Sequence, residues 1–279
     1  MAIKIEYLDG KGLYKIISDG IINLASHQQT LDEINVFPVP DGDTGTNMVF
    51  TLMPIISDCK NHISERADET MKLISNTALD SARGNSGTII AQFFYGLSKA
   101  FSGLDKIYVK DFSAGLNQGY LSAFDSLIKP EEGTIITVMR DVANKAKELS
   151  DEGCENYIYF IKGIFKEAEI SLKATKTILK ILKKSDVVDS GALGFVLLIQ
   201  GVLNVIERGK GGRIQTTHLD ISYELDKIES LNKDIDFKIE NTFCTECVIK
   251  GKNINRTELK SKIKDFGDDP TISSILELN

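Results

Sequence analysis

Between Lys15 and Lys60 the chain carries neither Lys nor Arg. The 44 residues from Ile16 to Cys59 hold six acids, Asp19, Asp32, Glu33, Asp41, Asp43 and Asp58, which together account for −6 of a formal net charge of −7. Carboxylates without counter-charge repel one another, so a fold that gathers them leaves them solvated or supplies a cation. The rest of the composition is ordinary for a globular chain, 42% hydrophobic and 26% charged, and excludes a disordered or fibrous protein. The acidic balance argues against a chain built to coat nucleic acid. A length of 279 residues fits one large domain or two ordinary ones. The N-terminus carries Lys4 and Glu6 and lacks the apolar core of a signal peptide. The most apolar run, Gly191 to Ile206, is interrupted by Gln200 and Asn204 and falls short of the roughly 20 apolar residues of a membrane span, so no integral membrane segment is expected. Four scattered cysteines do not make a disulfide scaffold, and a reducing cytoplasm is the expected location.

Up to about Ile206 the pattern is helical. Apolar residues recur at helical spacing in Leu13, Ile16, Ile17, Gly20, Ile21 and Leu24, again in Met48, Leu52, Ile55 and Ile56 with Pro54 expected to bend the segment, and again in Met71, Ile74, Ala78 and Ala82. Further helices are expected over Ile89–Phe101, Phe112–Ile128, Ile135–Leu149 and Tyr157–Leu182, and a last one from Ser190 to the glycines at Gly209–Gly212. Eight or so helices with short connections imply an all-α domain over residues 1–207. Beyond it lie a basic hinge at Arg208–Arg213, a strand-like alternation over Asp236–Gly251, a short helix at Asn255–Asp265 with Thr257 as its expected cap, and a strand-like end at Ser273–Leu278. Residues 208–279 therefore read as a hinge and an incomplete α/β domain, small for an independent core.

The segment Asn35–Met48, NVFPVPDGDTGTNM, lies inside the acidic stretch. Pro38 and Pro40 stiffen the approach and forbid a helix through it. Gly42 and Gly45 permit tight turns and close backbone approach. Asp41 and Asp43 are hard oxygen donors two residues apart, suited to share Mg²⁺ with phosphate oxygens. A helix is expected to start near Thr46, and its exposed amides favour an anion. An EF-hand does not fit, because Gly45 and Thr46 occupy its fifth and sixth positions and Leu52 its twelfth. The plainer alternative is a capped turn whose aspartates bond only to local amides.

Three other small polar segments head helical patterns: Ser81–Gly87 (SARGNSG), in which Arg83 could add charge, Gly133-Thr134, and Asp189-Ser190-Gly191. Each alone reads as a turn or an N-cap. Together with the aspartate loop they would make four helix N-termini able to converge on one nucleotide. The Walker, dinucleotide and protein-kinase motifs are absent, as is HExxH. His27, His62 and His218 read as surface or satisfied histidines rather than catalysts, and Cys244 and Cys247 as strand cysteines on opposite faces rather than a zinc pair.

NVFPVPDGDTGTNM, SARGNSG, EGTIITVMRDVA and VVDSGALG, in that order between about Leu13 and Ile206, resemble the dihydroxyacetone kinase L-subunit superfamily, and within it the ATP-binding domain of the fatty acid kinase A family. The resemblance implies an eight-helix barrel with ATP or ADP and two Mg²⁺ ions at one mouth. By position it implies Asp41 and Asp43 as Mg²⁺ ligands and catalytic groups, with Asn35 near the place of a third aspartate in the glycerone kinase branch. It implies Thr44, Gly45, Thr46 and Asn47 on the phosphates, Asn85, Ser86, Gly87 and Thr134 lining the nucleotide site, and Asp189, Ser190 and Gly191 closing it. FCTECVIKGKNIN resembles the start of that family's middle domain, where Cys244 would match a zinc-binding cysteine. The later histidine ligands have no counterpart here, so zinc is expected only in a longer chain, and the chain reads as a fragment or a short paralogue.

The implied activity is ATP-dependent phosphorylation of the carboxylate of a fatty acid held by a separate binding protein, giving an acyl phosphate for phospholipid synthesis. No protein nucleophile is required, in keeping with the missing His and Cys constellations. A small-polyol kinase and a nucleotide-binding regulatory module without catalysis are the alternatives, and a homodimer is compatible with either.

Overall fold

The computed structural model describes residues 5–208 and 255–263. Eight long helices dominate the first stretch: α1 (Gly10–Ala25), α3 (Thr44–Cys59), α4 (Ala67–Asp80), α5 (Gly84–Ala100), α6 (Val109–Ser126), α7 (Ile135–Asp151), α8 (Tyr157–Ile178) and α10 (Ser190–Arg208). Two short helices, α2 (Gln28–Glu33) and α9 (Lys180–Ser185), join them, and α11 (Arg256–Ile263) lies in the second stretch. A two-residue ladder, β1 (Tyr7–Leu8) against β2 (Ile107–Tyr108), is antiparallel with Tyr7 opposite Tyr108. The packing runs α1–α4–α5–α6–α7–α8–α10 and returns to α1, a closed ring, with α3 laid against α1, α4, α5 and α10. This is the helical barrel that the sequence implied.

The apolar stripes drive the closure. Leu13, Ile17, Phe93, Phe94, Leu116, Ile164, Phe195 and Leu198 meet in the interior, all buried. Burying each such side chain is worth roughly 1.5–3 kcal/mol. A small void of about 40 Å³ remains among them, lined only by apolar side chains. Helix α10 is long and apolar enough to cross a membrane by length and composition, but 83% of that window is buried inside the barrel. Its apolar surface is thus matched by protein, as in the core helix of a globular domain.

Two helix pairs approach unusually closely, both through glycine. A Cβ at Gly96 of α5 would stand 2.3 Å from the Gln118 carbonyl oxygen of α6, and one at Gly119 would stand 2.8 Å from the Phe93 ring. A Cβ at Gly20 of α1 would lie 2.8 Å from the Leu198 carbonyl oxygen, and one at Gly201 of α10 would lie 2.6 Å from Asp19 O. Contacts of 96 with 118 and 93 with 119, and of 20 with 198 and 19 with 201, make both pairs antiparallel.

Several boundaries differ from the periodicity. Helix α3 begins at Thr44, two residues early, and α5 at Gly84, five before the expected Ile89, while α4 stops at Asp80, leaving Ala82 outside it. Pro54 lies inside α3 without ending it. The carbonyl it leaves without a partner belongs to the turn of Phe50, which is 64% exposed, so water can bond it. The helix expected over Tyr157–Leu182 breaks at Leu179, whose backbone is extended (φ −86°, ψ 128°). Thr175, Thr177 and Ile178 are β-branched and weaken the helix there. Gly133 also packs against Ile178 and Leu179 at that point. The cap of α11 is Asn255, whose Oδ1 accepts the Glu258 amide at 3.2 Å, not Thr257. The strands expected at 236–251 and 273–278, the hinge at 209–213, His218, Cys244 and Cys247 lie outside the described residues.

Replacing Gly96 with Val forces α5 and α6 apart and is expected to cost about 1–3 kcal/mol. A thermal melt should show a midpoint several degrees lower than wild type; an unchanged midpoint would contradict the packing described.

Candidate functional site

Successive long helices alternate direction along the chain, so α3, α5, α7 and α10 all begin at one end. Helix α2 lies among these starts. The Gln28 carbonyl oxygen would stand 2.4 Å, and Leu31 Cβ 2.8 Å, from a Cβ at Gly45, the close approach that only glycine allows. The Ser190 hydroxyl at the start of α10 donates to Leu31 O at 2.6 Å. A single turn of helix therefore spans from the start of α3 to the start of α10.

The α3 and α5 starts are in direct contact. Gly84 has φ +57°, and a Cβ there would sit 2.3 Å from Asn47 Nδ2. The Ser86 hydroxyl reaches Thr44 O at 3.4 Å, and the Arg83 amide donates to Thr51 Oγ1 at 3.1 Å. Gly87 packs against Thr51 and the Asn47 carbonyl. The α7 and α10 starts share one carboxylate. Asp189 Oδ1 accepts the Ile135 amide at 3.0 Å and the Ala192 amide at 2.8 Å, while its own amide donates to Thr175 Oγ1 at 3.1 Å. Gly191 packs on Ile135, and Thr134 is buried with its hydroxyl donating to Glu131 O at 2.8 Å. The four polar segments thus converge at one end of the barrel, linked through α2.

The aspartate loop occupies this end. Gly42 has φ +68°, which places the turn between Asp41 and Asp43 in a region where glycine is at ease. The Phe37–Pro38 peptide is cis. Asn35 is buried and holds the loop closed: its Nδ2 donates to Asp41 Oδ1 at 2.7 Å and to Val39 O at 3.2 Å, and its Oδ1 accepts the Thr44 hydroxyl at 2.9 Å. The amide orientation follows from chemistry, because both groups facing the Nδ2 side are acceptors. Asn35 thereby braces Asp41, with its oxygen turned to Thr44. Burial, then the neighbouring Asp41, and Asp32 behind, raise the Asp43 carboxyl above the ordinary carboxylate value, against a hydrogen bond from Asn47.

A carboxyl disfavoured as the anion by burial and a neighbouring carboxylate is one that a divalent cation relieves. Among the described residues no group of three or more His, Cys, Asp or Glu side chains forms a metal cage. Two carboxylates alone suit Mg²⁺, which is commonly held by one or two carboxylates plus phosphates and water. The residues present therefore fit that ion.

Not all of the acidic stretch surrounds the loop. Asp32, Asp41 and Asp43 do, but Asp19 pairs with Lys15 and Asp58 accepts the Ser57 hydroxyl near the far end of α3. His27 bonds the Asn23 carbonyl and His62 is exposed. The sequence reading overlooked Asp32: its Oδ1 accepts the Thr46 amide at 2.8 Å and its Oδ2 accepts the Thr46 hydroxyl at 2.8 Å. No local spacing rule links a carboxylate to a threonine fourteen residues later. Gly84 was likewise unmarked, although a glycine at a helix start beside Asn is its only sequence signal.

A family model described as the DAK2 domain matches residues 38–204. The chain belongs to the DAK2 domain family. The DAK2 match covers the aspartate loop from Pro38 onward and all four helix starts. An uncharacterized protein of Staphylococcus saprophyticus is 36% identical over 275 residues, covering 95% of this chain and 48% of its own length. Counterparts in Staphylococcus epidermidis and Staphylococcus aureus are 34% identical over the same span, with 48% and 49% of their lengths covered. This DAK2 chain therefore spans about half the length of the curated relatives it matches. Its fold is shared with the dihydroxyacetone kinase of C. freundii in complex with AMP-PNP and Mg²⁺, at a TM-score of 0.53 and 16% identity over 73% of this chain and 35% of that one. The native form of that kinase aligns with a TM-score of 0.52, at 16% identity, over 74% and 37% of the two chains.

Burial pushes the Asp189 carboxyl of the DAK2 domain from 3.8 up to about 6, against the two amides that bond it. The folded-state value lies above the unfolded one, so the protonated form favours folding, and stability falls as pH rises from about 4 to about 6. Asp189→Asn keeps an acceptor and removes the ionisation. Its melting temperature relative to wild type should climb across that window by the equivalent of up to about 3 kcal/mol and level off above it. A pH-independent difference would show that Asp189 does not titrate there.

Proposed function

We propose that this domain is an ATP- and Mg²⁺-dependent phosphotransferase, and that its acceptor is the carboxylate of a fatty acid presented by a separate binding protein. The observation that carries the reading is the meeting of four helix N-termini with a carboxylate pair at one end of the barrel. DAK2 family membership and the dihydroxyacetone kinase fold support a nucleotide-binding, kinase-like module. The NVFPVPDGDTGTNM loop, by its resemblance to fatty acid kinase A, supports the acyl acceptor over a small polyol.

In this reading Asp41 and Asp43 hold Mg²⁺, braced by Asn35 and Asn47. A Mg²⁺ held there would supply positive charge against the phosphates during transfer. The Thr44 and Gly45 amides at the head of α3 point at the phosphates, and the starts of α5, α7 and α10 contribute their positive dipole ends. Ser86 and Thr134 line the nucleotide, and the Asp189–Gly191 turn closes the site. An oxygen of the acyl carboxylate attacks the γ-phosphorus, and the bond between that phosphorus and the departing ADP oxygen breaks. Positioning and electrostatics suffice for such a transfer, and no protein nucleophile takes part. The partner protein, the cytoplasmic setting and a second domain from residue 208 belong to the same proposal.

Asp41→Ala and Asp43→Ala should each abolish Mg²⁺-dependent ATP binding in calorimetry while leaving the helical circular dichroism unchanged. Wild-type affinity in both variants would overturn the assignment of the cation site. Acyl phosphate formed only in the presence of a fatty-acid-binding protein would support the acceptor. Phosphorylation of dihydroxyacetone instead would assign the polyol branch, and binding without turnover would assign a regulatory module.

A further inference from the structure

A helix leaves its first amides without intrahelical partners, and the residue preceding it ordinarily supplies a side chain to one of them. In α3 these amides belong to Thr44, Gly45 and Thr46, since the first bond back into the turn is Asn47 N to Asp43 O at 2.7 Å. Asp43 occupies the capping position, and an aspartate is well suited to it, yet its side chain makes no capping bond. Asp32 does that work from α2, taking both the amide and the hydroxyl of Thr46 at 2.8 Å. Gln28 Nε2 completes the arrangement by donating to the same hydroxyl at 2.9 Å. Thr46 is thus satisfied entirely by α2 and has nothing left to offer a phosphate, which narrows the role its place in the motif implied.

The exchange has a chemical result. With Thr46 capped from outside, the Asp43 carboxylate makes no bond to the first amides of its helix and stays beside Asp41, bonded by the Asn47 side chain. We propose that Asp32 is a positioning residue of the cation site: it caps α3 in place of Asp43, so that Asp43 is kept for the metal and the Thr44 and Gly45 amides are kept for the phosphates. This rests on the ATP and Mg²⁺ reading above. Without Asp32, the Thr46 amide stands three residues after Asp43, the relation in which an N-cap aspartate ordinarily accepts. Asp43 would then turn inward, and the carboxylate pair would separate.

Calorimetric titration of ATP with Mg²⁺ into the whole chain tests this with two substitutions. Removing an acid beside a polyphosphate should by charge alone tighten binding, so a loss reports geometry. Asp32→Ala is expected to weaken Mg²⁺-dependent ATP binding at least 10-fold. Asp32→Asn, which has lost the same charge but keeps an oxygen for the Thr46 amide, is expected to bind as tightly as wild type or more so. Hydrogen exchange should quicken at residues 44–48 in Asp32→Ala and not in α6 or α8. Wild-type affinity in Asp32→Ala, or an equal loss in both variants, would overturn the proposal while leaving the ATP reading in place. A wild-type chain that binds no ATP with Mg²⁺ would overturn both.

Discussion

The structure depends on the alternation of direction of successive long helices along the chain. Antiparallel neighbours joined by short links must place every second N-terminus at the same end. With eight long helices, this brings the starts of α3, α5, α7 and α10 together whatever their side chains. Each start carries roughly half a positive charge from its peptide dipoles. The acidic loop therefore lies in a field that already favours negative groups, so Asp32, Asp41 and Asp43 need no lysine or arginine within their own segment. The glycine contacts that press α5 on α6 and α1 on α10 keep the ring tight enough for this convergence to hold.

Much of the barrel was legible because periodicity reports burial. Leu13 to Leu24, Met48 to Ile56 and Ile135 to Leu149 all fall on helices, as their spacing required. Helix α2 escaped notice because six residues with one buried apolar side chain, Leu31, leave no stripe to read. The β1–β2 ladder escaped for a related reason: two residues on each side cannot show an alternation. The break at Leu179 was hidden because an apolar pattern can continue across a bend that packing imposes.

At the site, residue type was legible and bonding was not. The turn at Gly42 and the close approach at Gly45 were foreseeable from what glycine permits, and both are present. Asn35 was marked by its place near the loop, but its amide donates to Asp41, an orientation fixed only once Val39 and Thr44 surround it. Asp189 reads in sequence as the cap of one helix. In space its carboxylate serves two, and the second partner lies 54 residues away. Contacts of that range follow from topology, and composition carries no trace of them.

The distribution of these contacts along the chain bears on how such a site is inherited. Asp32, Asn35, Asp41, Asp43, Thr44 and Thr46 bond mainly to one another, within a run of fifteen residues. Closing so short a segment costs little chain entropy, and its geometry travels with a single stretch of sequence. The helix starts at Gly84, Ile135 and Ser190 are spread over more than a hundred positions and are held in place only by the finished barrel. An insertion or deletion in a distant helix would leave the aspartate loop with its own bonds while scattering the rest. The aspartate loop can therefore persist in a descendant in which the other helix starts no longer meet it.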